Sequence, residues 1–369
     1  MYSLNPGFRG PAIQRGLSPL ELLLTKANAG AGGALLASGL IQPPPIWTFG
    51  AVAAVAGVLN FAPGPRSLAR WAAVGARHWR ERRTTSPRLG TTAGETRTWT
   101  LYPDHGTMQD PMLRAGFHET FGRALTYVGN QSRSAGIQVH VTHHATVSDV
   151  TTHTQTISVH IPKGVISRPE RVLNTIEREF TKLGALTEIT PEPVPAVTDR
   201  AAGWAALEDG RYAATARITG WPHTNNGTLM PDLLLEQNMD QAQKERRTDS
   251  VRSLAVLYRP LPLAQARRSA KWRKAASEAF TTDNVKKDEH QETSGTTHDA
   301  LVAGATLVDI DAYLTVWGDS PEDVTDARWN AQLDADEYRL RLNWLIGQQH
   351  RAHVMTTPHG AATRNGAIL

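Results

Sequence analysis

The sequence predicts an α+β protein in which a two-helix transmembrane hairpin precedes cytosolic α/β sandwich domains of the ferredoxin-like type. Two observations support this fold class. Residues 29–62 form two apolar runs joined by Pro43–Pro45, and the second run, Ile46–Ala62, contains no charged residue. Further along the chain, short segments with the alternation typical of strands are separated by segments with helical periodicity.

The hairpin prediction depends on length and on the flanking charges. As a helix, Ile46–Ala62 would rise about 25 Å, close to the bilayer core of about 30 Å. The first helix has to begin near Leu20, which places Lys26 at the membrane surface, with Arg66 and Arg70 on the other flank. Cationic flanks favour the cytoplasmic side, so we expect an inner (plasma) membrane protein with both termini in the cytosol. A buried hairpin in a soluble core is the alternative, whereas a second apolar run argues against a signal peptide.

Composition narrows the class of protein further. The chain has 369 residues, a formal net charge of +4 and no cysteine. Structural disulfides and cysteine-ligated metals are therefore excluded. Much of the positive charge lies beside the hairpin, which indicates membrane topology and lipid contact first, and a nucleic-acid surface second.

The predicted organisation has six parts. They are a cytosolic tail (1–19), the hairpin (20–64), a basic juxtamembrane helix with a linker (65–95), a first cytosolic α+β domain (96–195), a second cytosolic α+β domain (196–360) and a C-terminal tail (361–369).

In the first domain, strands and helices follow from periodicity. Leu113, Phe117, Phe121 and Leu125 recur every four residues, and Pro169 opens a second helix. The predicted order is strand 96–102, helix 110–129, strand 137–147, strand 154–161, helix 169–183 and strand 186–189.

In the second domain, the pattern predicts strands at 211–221, 253–258, 306–317 and 352–356, and a long helical region at 263–304. Ser320 is expected to cap a further helix, with Asp323 at its third position. That helix is predicted to present one apolar stripe made of Trp329, Leu333, Leu340 and Trp344.

Catalytic motifs are absent from the sequence. It has no G-x-x-x-x-G-K-[ST], no G-x-S-x-G and no H-E-x-x-H, so we expect no ATP hydrolysis by this chain alone. Asp309 and Asp311 share a strand face, as ligands of a hard cation do, but the default interpretation is an exposed sheet surface. Five histidines are a second candidate metal site: His140, His143, His144, His153 and His160. On one strand His140 and His144 share a face, but a solvated sheet face is again the default interpretation. We therefore expect no metal and no cofactor.

A basic stripe is predicted on the long helical region. It consists of Arg267, Lys271 and Lys274, with Arg268 and Arg273 nearby. A solvated helix face is the default interpretation, followed by contact with an acidic partner or lipid, and DNA comes last. These three residues are the candidate partner-binding residues.

The C-terminal half also resembles a known family. The segments that carry the resemblance are WAALEDGRYAATARITGWP (204–222), LMPDLLL (229–235), RSLAVLYRPLPLAQARR (252–268), DAYLTVWG (311–318) and RLRLNWLIGQQHRAHVMTTPHG (339–360). They resemble an actinobacterial family encoded in integrative conjugative elements beside a conjugation ATPase. The layout is similar to a VirB-type membrane-hairpin subunit fused to the N-terminal domain of the large type IV secretion ATPase, without its motor. The chain departs from this family between Arg83 and Thr96, where a further β-rich piece is expected.

The resemblance implies a non-enzymatic component of a conjugation-like type IV secretion system. This component would hold a separately encoded ATPase at the membrane, among other secretion subunits and the lipid bilayer. A homo-oligomer stays open, and direct DNA contact is not expected. Two alternatives remain: a type VII secretion component of the EccE kind, and a membrane-tethered enzyme with a metal site made of histidines.

Overall fold

The computed structural model describes residues 46–60, 91–107, 110–131, 136–147, 151–221, 233–234, 250–268 and 306–363, with a few single positions between 72 and 79. The chain divides into two units. One comprises Phe8–Thr84 with Leu369, and the other comprises Met1–Gly7 with Thr85–Ile368.

The first of these units contains helix α1 (Ile46–Asn60), which is 15 residues long and carries no charge. A helix of this length rises about 22 Å, short of the hydrocarbon core of about 30 Å. Among the described residues, no helix is long and apolar enough to cross a membrane. The predicted transmembrane hairpin and the inner-membrane location that depends on it are therefore wrong. The first apolar run lies outside the described residues, as do the flanking residues Lys26, Arg66 and Arg70.

The second unit is organised around one antiparallel sheet of ten strands, in the order β4-β1-β3-β2-β8-β9-β7-β6-β5, with β10 also paired to β7. The strands are β1 (Gly94–Pro103), β2 (Gln138–Val147), β3 (Thr152–Pro162), β4 (Gly184–Ile189), β5 (Val197–Arg200), β6 (Ala205–Leu207), β7 (Tyr212–Gly220), β8 (Ser250–Pro260), β9 (Val308–Gly318) and β10 (Arg341–Trp344).

The helices of this unit begin at sequence signals that are visible in advance. Helix α2 (Pro111–Asn130) starts at Asp110, whose carboxylate accepts a hydrogen bond from the backbone N–H of Met112 at 2.7 Å. Ser320 caps α4 (Pro321–Glu337) by accepting from the N–H of Asp323 at 3.1 Å, which confirms the predicted cap. The remaining helices are α3 (Pro169–Phe180), α5 (Gln349–Ala352) and the 3-10 helices Thr181–Leu183, His353–Thr356 and Pro358–Ala362.

Strands β2 and β8 join the two halves of the sheet. They pair antiparallel from Val139–Tyr258 to Val147–Ser250. In separate sandwich domains both strands would be sheet edges with unpaired backbone N–H and C=O groups. Here the backbone groups of each strand pair with those of the other. The predicted hairpin followed by ferredoxin-like domains is therefore replaced by one large antiparallel sheet with few helices. The two halves repeat one strand order, β4-β1-β3-β2 and β10-β7-β9-β8, each read from its own edge toward the β2–β8 pairing.

One face of the sheet is apolar and lies under helices α2, α3 and α4. In the first half its core includes Trp99, Ile157 and Phe180, and in the second half it includes Leu254 and Leu314. The opposite face is polar, and it is covered by the segment 345–363, which contains α5 and the last two 3-10 helices. A small apolar cluster attaches this C-terminal segment to the sheet: Leu257, Tyr313, Leu345, Ala352 and Met355.

Most predicted elements of the first half are confirmed within a few residues, and the differences concentrate near the C-terminus. The predicted strand at 352–356 is wrong, because α5 ends at Ala352 and a 3-10 helix follows at His353–Thr356. The predicted stripe on α4 is also wrong. The helix ends at Glu337, so the helical period does not continue to Leu340 and Trp344.

Candidate functional site

The polar face of the sheet carries hydroxyl, amide, imidazole and carboxylate side chains on neighbouring strands. Alternation along the strands places polar residues there while their neighbours enter the apolar core. Nearly all of them are buried: Thr98, Gln138, His140, Thr142, Thr156, Ser158, Thr215, Ser253, Asp311 and Thr315.

Cross-strand hydroxyl pairs satisfy many of these groups. Thr98 Oγ1 lies 2.9 Å from Ser158 Oγ, and Thr215 Oγ1 lies 2.8 Å from Thr315 Oγ1. Thr142 and Thr156 form a third pair across β2 and β3. Because each hydroxyl both donates and accepts, the two members of each pair satisfy one another although they are buried.

The C-terminal segment completes these networks by hydrogen bonding to the sheet. Gln349 accepts from the N–H of Thr215 at 2.7 Å and donates to the same residue's carbonyl at 3.1 Å, as a neighbouring strand would. Thr356 donates to Thr315 Oγ1 at 2.7 Å. Packing is close, because a Cβ added at Gly360 would stand 2.7 Å from the His140 ring. The segment is therefore an integral layer of the fold.

Asp311 is engaged by two arginines on this face. Arg217 on β7 and Arg259 on β8 both donate to its carboxylate, the latter at 2.7 Å, and Arg259 also lies 3.7 Å from Asp309. The predicted exposed surface is wrong for Asp311, which is buried. Guanidinium groups occupy the position that a hard cation would need.

The default interpretation of a solvated face is wrong for His140 and His160, which are buried, whereas His153 is exposed. His140 is fully buried, and burial lowers its pKa to about 4. It is therefore neutral at physiological pH and donates from Nε2 to the carbonyl of Met355 at 3.0 Å. His160 lies between Thr92 and Thr96, with ring nitrogens 2.8 and 2.7 Å from their hydroxyls. Four residues separate His140 from His144, about 13 Å along a strand, so they do not share a ligand.

A serine and a histidine also meet on the polar face. His144 Nδ1 lies 2.7 Å from Ser253 Oγ, and Trp317 Nε1 donates to the same oxygen at 2.8 Å. Ser253 is only 2% exposed in the centre of a strand, so a substrate carbonyl cannot reach its hydroxyl. This pair holds β2, β8 and β9 together and does not form a nucleophilic site.

No group of three or more His, Cys, Asp or Glu side chains in the described residues could hold a metal ion. The polar face therefore has the character of a second core, with its hydrogen-bonding groups directed at one another.

The outer surface of α4 has a different character. Trp329 and Leu333, one turn apart, are 67% and 52% exposed, whereas the helix buries Val324, Ala331 and Ala335. Acidic residues surround the exposed pair on the same helix: Glu322, Asp323, Asp326, Asp336 and Glu337. We call Trp329, Leu333 and these acids the α4 surface.

Sequence reasoning placed Trp329 and Leu333 in one apolar stripe with Leu340 and Trp344. The acids at 326 and 336, three residues from Trp329 and Leu333, were the available signal that this face points outward. Of the predicted basic stripe, Arg267 is exposed in the helical residues 263–268, and Lys271 and Lys274 lie outside the described residues.

Comparison of the chain with models of known protein families and with curated proteins finds no match.

Proposed function

We propose that this chain is a non-enzymatic adaptor of a conjugation-like secretion machine and binds the separately encoded ATPase of that machine. The resemblance of the segments between residues 204 and 360 motivates the choice of machine. The internal engagement of the polar face supports a non-enzymatic role, since its hydroxyls pair across the strands and its arginines bond to Asp311.

The observation that carries the proposal is the α4 surface. Isolated exposed apolar residues are ordinary, but a tryptophan with a leucine one turn away inside an acidic rim has the composition of a binding site. Tryptophan is enriched among the residues that dominate binding energy. The exposed fractions of 67% and 52% leave both side chains available.

Charge complementarity selects the kind of partner surface. An apolar groove with a basic rim on the ATPase would receive Trp329 and Leu333, while the acids guide association. The acidic rim also disfavours DNA, whose phosphates it would repel. Arg267 stays a predicted contact to an acidic region of the same partner, and in that position it would affect mainly the salt dependence of binding.

The test measures the affinity of the full chain for the purified ATPase encoded beside it, by biolayer interferometry. Changing Trp329 and Leu333 together to Ala is expected to weaken binding by about tenfold or more, since hot-spot truncations cost at least about 2 kcal/mol. Met112→Ala is the matched control, because Met112 is 83% exposed on α2.

Equal affinity of the double variant and the wild type would reject the α4 surface as the docking site. Absence of binding by the wild type at any salt concentration would reject the adaptor function itself.

A further inference from the structure

Helices α3 and α4 occupy equivalent places in the two halves of the sheet. Each connects the third and fourth strands of the strand order that both halves repeat, and each begins with a proline. The halves also carry equivalent hydroxyl pairs, since Thr98–Ser158 on β1 and β3 corresponds to Thr215–Thr315 on β7 and β9. The outer sides of the two helices can therefore be compared position by position.

The buried sides of the two helices determine how they align. Leu173 and Phe180 enter the core from α3, and Val324 and Ala331 enter it from α4 at the same spacing of seven residues. About two turns of a helix bring such residues back to one side, so the two pairs mark the same positions. The residues that the helices present to solvent at corresponding positions follow from this alignment.

The outer sides of α3 and α4 differ in charge. In this alignment Arg178 takes the position of Trp329, and Lys182 takes that of Leu333, and all four side chains are exposed. Exposed Arg171 lies on the same side of α3, seven residues before Arg178. We call these three cations the α3 surface. It is basic at the positions where the α4 surface is apolar and acidic.

The α3 surface is only partly neutralised by its own helix. Lys182 bonds to Glu179 at 2.6 Å, whereas the other two glutamates of the helix, Glu170 and Glu177, bond to Arg97 on β1. Exposed ion pairs between neighbouring turns are worth little, so Lys182 can exchange its partner at small cost. The α3 surface therefore has net positive charge.

The α4 surface keeps its negative charge as well. Its rim has five exposed acids on one helix. Arg328 on the same helix is partly buried, and its guanidinium lies 4.9 Å from the ring centroid of Trp344 on β10. Two surfaces of one molecule thus have opposite charge, which favours contact between copies.

We propose that the α3 surface of one copy binds the α4 surface of a second copy, and that this self-association covers the site to which the ATPase binds. An arginine over the face of a tryptophan gains cation–π energy, and the aliphatic part of a lysine side chain can cover a leucine. Both surfaces lie on the helix-covered face of one sheet. A single two-fold axis can therefore form two α3–α4 contacts at once and close a dimer.

Self-association regulates the adaptor by competition. Only the free chain presents the α4 surface, so the apparent affinity for the ATPase falls with the fraction of chain that is free. The charges at this contact are exposed, and salt screens them. The regulatory role rests on the proposed function, whereas the self-association does not.

The first test measures the mass of the full chain by sedimentation equilibrium at low and at high salt. We expect a dimer whose dissociation constant rises with salt concentration. Arg178→Glu/Lys182→Glu and, separately, Asp326→Lys/Asp336→Lys should each raise this constant at least about tenfold, because like charges then face one another. Lys163→Glu, at an exposed lysine after β3, is the matched control and should dimerise as the wild type does.

Mixing the two double variants tests the pairing of the surfaces directly. In the mixed dimer each reversed surface faces a reversed complement, and the two unchanged surfaces face each other. Heterodimers should therefore form with an affinity close to that of the wild type, although neither variant dimerises well alone. Absence of the heterodimer would overturn the proposed contact.

The second test adds the ATPase. Arg178→Glu/Lys182→Glu keeps the α4 surface, so at equal total concentration it should bind the ATPase more tightly than the wild type does, and equal affinity would reject the regulatory role. A wild type that is monomeric at every salt concentration would overturn the self-association and leave the adaptor function untouched. Dimerisation as expected without any binding of the ATPase would confirm the self-association and reject the adaptor function, and with it the regulatory role.

Discussion

The two faces of the sheet are both buried, but they are built from opposite chemistry. Under the helices the strands contribute Trp99, Ile157, Leu254 and Leu314, whereas under the C-terminal segment they contribute hydroxyls, His140 and the Asp311 ion pairs. Apolar burial depends on filled volume, and polar burial depends on a partner for each donor and acceptor. The two faces should therefore respond differently to the same kind of perturbation.

The largest effect is expected on the helix-covered face. Phe180 is fully buried at the end of α3, with its ring 6.1 Å from that of Phe121. Phe180→Ala removes a large side chain and leaves a cavity, so the free energy of unfolding should fall by about 3–5 kcal/mol in urea titrations. Trp329→Ala, on the exposed side of α4, should stay within about 0.5 kcal/mol. Similar losses in both variants would contradict the assignment of the core.

The helix-covered face was largely predictable from sequence. Alternation located β1, β2 and β3, and the fourfold spacing from Leu113 to Leu125 located α2, because apolar residues repeat with the period of the element they bury. The β2–β8 pairing was not predictable. Edge strands carry no local signal of which other edge they will meet.

The polar face was located but misinterpreted. A polar alternate position looks the same in sequence whether water or another segment covers it, so His140 and Asp311 were expected on a solvated surface. What covers them is the segment 345–363, in which Gln349 pairs with the backbone of Thr215 through its side chain. This segment contains only helices of four or five residues, which are too short to show a helical period in the sequence. The strand predicted at 352–356 therefore does not form.

An effect of intermediate size is expected on the polar face, where the free energy of unfolding should depend on pH. Burial lowers the pKa of His140 to about 4, and the pKa of His353 is lowered to about 4 by the same cause. As pH falls below about 6.5, the unfolded chain binds protons before the folded chain does, so stability is complete above that pH and is lost progressively toward pH 4. His140 alone should account for about 3 kcal/mol across this interval, of which about 2 kcal/mol is lost between pH 7 and pH 5.

Urea unfolding of the wild type and His140→Gln at pH 7 and pH 5 measures this contribution. The variant should lose less stability than the wild type on acidification, and exposed His105→Gln should behave as the wild type does. An identical pH dependence in His140→Gln and the wild type would mean that His140 is not held neutral in the fold.

The smallest expected effect tests whether the hydroxyls of the polar face act as a network. Thr315 is fully buried and bonds to Thr215 on β7 and Thr356 in the C-terminal segment. Thr315→Val keeps the shape but removes a partner from both, which should cost about 1–3 kcal/mol in urea unfolding, and exposed Thr187→Val on β4 should cost almost nothing.

The double variant Thr215→Val/Thr315→Val sharpens the comparison, because it replaces both members of one hydroxyl pair with apolar groups of the same shape. Its loss of stability should be smaller than the sum of the two single losses, since no hydroxyl of that pair is left buried without a partner. Additive losses would instead mean that each threonine acts alone.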